Sequence, residues 1–218
     1  MSNRSEAAIG FGCYVAYLAA RARVYSRNGE RRAIENAQRI HELERRLGID
    51  VEQAVQRRAS AVPAALKVLN AGYVVANIGL SVGWLVHLYR SNDPRYRRER
   101  TASALALVGA LPIFVAFPTA PPRDLDGFVD TLAEQGLDLS HPFLTKFYNP
   151  IAAMPSHHVA FATVTGLGIA TAKKGWRRAA WRSYPAGVTA VVLATGNHFV
   201  ADALVGVGLG KLARRLVR

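Results

Sequence analysis

Residues 155–172 read PSHHVAFATVTGLGIATA. A Pro-Ser pair and two histidines lead into an apolar run without a single charge. The next ten residues, 173–182, read KKGWRRAAWR, so the run is polar at one end and strongly basic at the other. A run bounded in this way has the pattern of a membrane helix, and the reading strengthens when the pattern recurs along the chain. It does recur: further apolar segments cover about 61–89, 101–118, 183–195 and 197–213, and a shorter one lies near 7–20. Together they predict an all-α fold, an integral membrane helical bundle of about six transmembrane helices. The segment near 7–20 carries Glu6 as well as Arg4 on its flank and has no clear small-residue cleavage site, which favours a retained helix over a signal peptide.

Residues 22–58 have a different pattern. Glu30, Arg31, Arg32, Glu35, Arg39, Glu42, Glu44, Arg45 and Arg46 alternate in sign, while Ala33, Ile34, Ala37, Ile40, Leu43 and Leu47 recur at helical spacing. This predicts an amphipathic helix lying on the membrane or packed on the bundle. An ordinary solvated helix fits the pattern nearly as well. Gly48 and then Asp50 predict a stop and a new N-cap. The chain therefore divides into an N-terminal helix and amphipathic segment, 1–59, and a membrane domain, 60–218.

The chain carries 28 Lys and Arg against 15 Asp and Glu, a formal charge of +13. Such a balance raises nucleic acid as a partner. The arginines, however, flank apolar segments instead of lining one soluble face, so anionic lipid headgroups account for the charge and no nucleic acid is expected. The single cysteine, Cys13, rules out an internal disulfide. The basic residues of 90–100 and 173–182, with Lys211, Arg214, Arg215 and Arg218 of the tail, predict cytoplasmic loops. Residues 119–155 hold Asp124, Asp126, Asp130, Glu134 and Asp138 against Arg123 and Lys146, which predicts an outward-facing loop. One conflict remains. If 61–89 spans and ends inside, the arginine-rich 21–60 segment lies outside, against the charge rule.

This orientation brings His158, where the acidic loop meets a helix, to the same end as His198, where the short turn 195–197 meets the last helix. Asp202 follows His198 by four residues and shares its helical face. A histidine paired with a carboxylate is often only a satisfied polar contact, and Pro155-Ser156 before an apolar run can be simply a helix start with Ser156 as N-cap. Two histidines and a carboxylate at one membrane face carry more. A carboxylate on one imidazole nitrogen fixes the tautomer and strengthens the other nitrogen as a nucleophile. A second histidine can protonate a departing oxygen. The start of the 156–172 helix offers amides and a positive dipole end to a phosphate. The arrangement requires no metal and no cofactor.

Pro155-Ser156-His157-His158 resembles the Pro-Ser-x-His motif of the type 2 phosphatidic acid phosphatase superfamily, and Gly196-Asn197-His198-Phe199-Val200-Ala201-Asp202 resembles its Gly-x-His-x-x-x-Asp motif. Residues 149–154 (NPIAAM) and 117–123 (FPTAPPR) look like the branch that contains inositol phosphorylceramide synthases. The likeness covers roughly 60–213. It implies a metal-independent membrane enzyme, a lipid phosphatase or phosphotransferase, acting on a phospholipid, polyprenyl phosphate or similar lipid phosphate from the extracytoplasmic side of the cell membrane. An inositol-phosphate-type transferase to a lipid acceptor, or a non-catalytic membrane protein retaining the fold, are the alternatives. Residue by residue, the resemblance implies His198 as the nucleophile forming a phosphohistidine, Asp202 as its orienting group, His158 as the acid and Ser156 as a phosphate contact.

The chain departs from the superfamily pattern in two places. Val191 and Val192 stand where a Ser-Arg pair is usual, and the Lys-x6-Arg-Pro motif is absent in clear form. Arg123 is the first candidate for the missing phosphate-binding charge and Lys146 the second. Arg90 and Arg97 have the right mutual spacing but the wrong side. Tyr148 and Asn149 are expected near the mouth of the site. His157 has no assigned role, and His41 and His141 are expected to be solvated.

Overall fold

The computed structural model describes residues 3–73, 77–139, 141, 143–146 and 148–217. Residues 74–76 of the predicted 61–89 span and Arg218 of the basic tail lie outside them. Among the described residues the regular structure is helical: α1 (Asn3–Val24), α2 (Arg27–Leu47), α3 (Glu52–Ser60), α4 (Pro63–Ala71), α5 (Asn77–Arg90), α6 (Tyr96–Ala116), α7 (His157–Ala170), α8 (Gly175–Ala194) and α9 (Val200–Leu216). Thr119 and Ala152 add one isolated parallel bridge across the long loop.

Several boundaries differ from the sequence reading, each for a local reason. The predicted span 61–89 is interrupted: Pro63 opens α4 at its first position, and the chain widens into π geometry at Gly72 and Tyr73. Helices α6 and α8 begin before their apolar stretches do. Arg97, Arg98 and Arg100, and likewise Arg177, Arg178 and Arg182, ride on helical turns instead of loops, since a long basic side chain can leave a helix end for water while its stem stays packed. Gly48 ends α2 in the left-handed region (φ 67°), as its position suggested. Asp50 does not cap α3; Val51 N–H donates to Ile49 O at 2.9 Å, closing a turn that delays the helix start by one residue.

Helix α7 is the hub, packed by α5, α6, α8 and α9. Close approach is possible because glycines lie at its contacts, Gly206 and Gly210 on α9 and Gly166 on α7 itself. A Cβ on Gly206 would lie 2.6 Å from Ser156 O, one on Gly210 2.7 Å from Ala160 O, and one on Gly166 2.6 Å from Trp181 O. At the basic end, Arg214 Nη1 donates to Glu99 Oε2 at 2.6 Å and to Val164 O at 3.0 Å, tying α9 to α6 and α7. Helix α1 runs alongside α6. Near its start Glu6 accepts from the Tyr96 hydroxyl at 2.7 Å; near its end Tyr17 Oη accepts from Asn149 N–H at 2.8 Å and Arg21 Nε donates to Tyr148 O at 3.0 Å.

Helix α2 packs on the bundle. Ala33, Ala37 and Ile40 are buried with Ala120, Ile151 and Phe199, and Asn36 Nδ2 donates to Pro118 O at 2.8 Å. The arginine-rich segment thus sits at the same end as the acidic loop. Its charge is offset in place: Glu42 pairs with Arg45 and Arg46 at 2.7 and 2.9 Å. His41 is not solvated as expected; its ring lies 5.7 Å from Phe128 and 6.3 Å from Phe199, because it sits on the edge of the packed face. His141 is exposed.

By length and composition, α6 is the one helix among the described residues long and apolar enough to cross a membrane. Helices α5 and α7 have 14 residues each, about 21 Å of rise against a hydrocarbon core of about 30 Å.

Two glycines on α9 separate packing from propensity. Gly208 faces open space, so Gly208→Ala should be neutral or stabilising by up to about 1 kcal/mol. Gly206→Ala pushes a methyl into Ser156 O and should cost about 1–3 kcal/mol. Thermal unfolding of both variants in detergent checks the contrast.

Candidate active site

The site forms where α7 and α9 begin. Ser156 is the N-cap of α7, its Oγ accepting from Val159 N–H at 3.3 Å. Its own N–H donates to Asp202 O at 3.1 Å, which pins the start of α7 to the first turn of α9. His158 then faces His198, with ring centroids 5.8 Å apart and planes at 60°. His198 Nδ1 lies 3.4 Å from Asp202 Oδ2, and that oxygen also accepts from Phe199 N–H at 2.9 Å. Asp202 is fully buried. With Nδ1 turned to the carboxylate, the other ring nitrogen of His198 is the one left for chemistry.

Gly196 makes the turn before His198 possible. Its φ is +68°, and a Cβ there would strike the Gln56 side chain. Asn197 and His198 then hang from Val192 O, which accepts both N–H groups at 3.0 and 3.3 Å. Val192 itself is buried, so the position where the superfamily pattern has a cation supplies a backbone acceptor instead.

Arg123 brings a guanidinium to the same turn. It lies on the short helical turn Pro122–Asp124, and its N–H donates to Gly196 O at 2.9 Å. The guanidinium is buried. It donates to Asn197 Oδ1, sits 3.4 Å from Asp130 Oδ2, and lies within hydrogen-bonding reach of the Tyr148 and Tyr73 hydroxyls. Asn197 Nδ2 donates to Thr195 Oγ1 at 2.8 Å, which fixes the amide oxygen toward Arg123. Tyr73 stacks on His158 with centroids 4.4 Å apart.

His158, His198, Asn149 and Tyr148 border a cavity of about 510 Å³ whose far wall is apolar, formed by Cys13 and Tyr14 of α1, Ile78 and Val82 of α5 and Phe161 of α7. The structure therefore brings together Ser156, His158, His198, Asp202, Arg123, Tyr148 and Asn149. Lys146 is not among them. It is exposed on the turn Leu144–Lys146, where Thr145 takes the buried position and the lysine points away. His157, on the neighbouring face of α7, packs edge-on against Phe114 at 4.8 Å with Nε2 3.3 Å from Leu107 O, and so anchors α7 to α6.

The sequence reading missed Tyr73, Asn197, Gln56, Glu44 and Glu52. Tyr73 sits in an apolar run with no periodic signal. Asn197 lies inside the motif. Glu44 could have been found: positions 33, 37, 40 and 44 share one helical face, and the first three are the buried apolar ones.

Among the described residues no group of three or more His, Cys, Asp or Glu side chains could hold a metal ion. No curated protein and no solved structure matches the chain. A family comparison does: the model described as the PAP2 superfamily matches residues 38–215, from within α2 to the last turn of α9, and takes in Ser156, His158, His198 and Asp202. The chain belongs to the PAP2 superfamily, a membership that supports phosphatase or phosphotransferase chemistry in the broad sense.

Proposed function

We propose that this protein is an integral membrane lipid-phosphate phosphatase or phosphotransferase that works through a phosphohistidine on His198. The observation that carries the reading is the 5.8 Å separation of the His158 and His198 rings, with Asp202 behind one of them and an apolar cavity in front of both. A tetrahedral phosphate fits between two groups at that spacing.

The free ring nitrogen of His198 attacks phosphorus. The bond from phosphorus to the lipid oxygen breaks, the electron pair leaves on that oxygen, and His158 donates its proton there. Asp202 stabilises the imidazolium that forms. His158, now neutral, takes a proton from an incoming water or alcohol, which attacks phosphorus and breaks the P–N bond. Arg123 and the amides at the start of α7 neutralise the phosphoryl oxygens. No step uses a metal or cofactor. Water as acceptor makes a phosphatase. A second alcohol makes a transferase, for which the buried Arg123 of the 117–123 string, in place of the usual Ser-Arg pair, is the favouring observation.

The cavity's apolar wall suits the first methylenes of a lipid chain reaching the site sideways between α1 and α5. Phe11, Val68, Leu105, Leu204 and Leu212 are exposed on the outside of the bundle, a pattern that suits lipid contact. Six passes are read as α1, α4 with α5, α6, α7, α8 and α9. Arg97, Arg98, Lys173, Lys174, Arg178 and Lys211 gather at the end away from the site, which supports an extracytoplasmic active site in the cell membrane.

Purified protein in detergent should release phosphate from dioctanoyl phosphatidic acid or a polyprenyl phosphate without added metal, and His198→Ala should lower turnover at least about a thousandfold. A His198→Ala variant with full turnover would contradict the reading. Arg123→Gln should weaken orthophosphate binding about tenfold or more, measured by calorimetry, since hydrogen bonds to charged groups are worth about 1.5–3 kcal/mol. Cys13, the chain's single cysteine, allows a direct test of lateral access. Labelling with a bulky maleimide should raise KM for long-chain substrate more than for a short-chain one, and prior substrate should slow the labelling.

A further inference from the structure

Three backbone amides open α9, and each meets a different carboxylate. Phe199 N–H donates to Asp202 Oδ2 at 2.9 Å, Val200 N–H to Glu52 Oε1 at 2.8 Å, and Ala201 N–H to Glu44 Oε1 at 2.6 Å. Glu44 comes from α2 and Glu52 from α3, so two elements remote in sequence converge on the turn that presents His198. Both side chains are buried, at 1% and 0% exposure. Neither Glu44 Oε2 nor Glu52 Oε2 receives a hydrogen bond from an N–H or hydroxyl group. The two carboxyl groups lie within hydrogen-bonding reach of each other.

Two buried carboxylates side by side repel strongly, while one carboxylic acid donating to one carboxylate satisfies both orphan oxygens. We propose that Glu44 and Glu52 share one proton and act together as positioning residues, holding the start of α9 so that Asp202 meets His198 Nδ1. The pair touches no substrate; it acts through the helix. Burial first, and Glu52 second, hold the Glu44 carboxyl up to about 9, in keeping with a retained proton. The titratable groups that act on it are Glu52 from α3 and Asp202 in the first turn of α9. Gln56, one turn beyond Glu52, reinforces the same region: its amide donates to Val129 O at 2.8 Å and packs under Gly196. The 1–59 segment therefore supplies support to the site.

The role in turnover rests on the proposed function; the proton sharing and the positioning of His198 do not. Glutamine is the isostere of a protonated glutamate, so Glu44→Gln preserves both the acceptor to Ala201 and a donor to Glu52, whereas Glu44→Ala removes them. In 15N-imidazole spectra of the detergent-solubilised chain, with the His198 signal assigned from His198→Ala, Glu44→Gln should leave that signal at its wild-type position and Glu44→Ala should shift it. With dioctanoyl phosphatidic acid, Glu44→Ala should lower kcat about tenfold with KM little changed, and Glu44→Gln should stay within about threefold of wild type.

A third readout comes from pH. The folded chain keeps a proton that an unfolded glutamate gives up near 4.5, so the group's stability contribution is complete below that pH and is lost as pH rises through about 9. The melting temperature of Glu44→Gln should therefore gain on wild type between pH 5 and 9. Proposal and function fail separately. An unmoved His198 signal in Glu44→Ala, a Glu44→Gln variant as perturbed as Glu44→Ala, or a flat melting difference overturns the carboxyl pair whatever the turnover. Absent turnover in wild type, with the spectral and melting results as expected, overturns the enzymatic reading and leaves the pair standing.

Discussion

Everything in the site hangs on one residue serving two helices. Asp202 takes the Ser156 amide on its backbone carbonyl and the Phe199 amide on its carboxylate, and that carboxylate also faces His198. A buried hydrogen bond is worth only about 1 kcal/mol net, but leaving its donor unpaired costs about 1–3 kcal/mol. The contact between Ser156 and Asp202 is therefore hard to give up. It sets how α7 and α9 meet, and with them the spacing of His158 and His198. The glycines at 206 and 210 make the contact possible by letting the two helix backbones approach as closely as carbonyls allow.

Around that joint the protein arranges opposite kinds of surface. Arg123, Asn197, Tyr148 and Tyr73 form a polar cluster at one end of a cavity whose other end, reaching α1 and α5, is apolar. The lipid phosphate proposed as substrate would use both. Beneath the joint, Glu44, Glu52 and Gln56 from α2 and α3 close off the region from the far side. The amphipathic segment thus serves as a floor for the site. Four of its acidic residues divide between two tasks: Glu35 and Glu42 pair with neighbouring arginines on the surface, and Glu44 and Glu52 meet the start of α9.

Much of this was legible in the residues. The apolar runs gave the helices α6 to α9, and the histidines and Asp202 were identifiable because helical spacing and alternating direction put them at one end. Arg123 stood out because the resemblance left a phosphate-binding charge unaccounted for and Arg123 lies in the outward loop; the structure places its guanidinium beside Asn197. Helix ends were less legible, since Arg97 and Arg178 are polar yet helical, and polarity alone reads as loop. Lys146 misled for a similar reason: charge and loop position suggested it, but the turn at 144–146 points Thr145 inward. Tyr73, Glu44 and Glu52 depend on contacts between segments far apart in the chain, and no local pattern encodes such a contact beyond the shared face of Ala33, Ala37, Ile40 and Glu44.

The central claim is that His198 becomes covalently phosphorylated. Rapid quenching of the enzyme under alkaline conditions during turnover of 32P-labelled phosphatidic acid, followed by mapping of the labelled peptide, tests it directly. The account predicts an acid-labile, alkali-stable phosphate on the peptide carrying His198, strengthened in His158→Ala if breakdown of the intermediate slows more than its formation. Label that is stable to acid, or that maps to a peptide without His198, would contradict it.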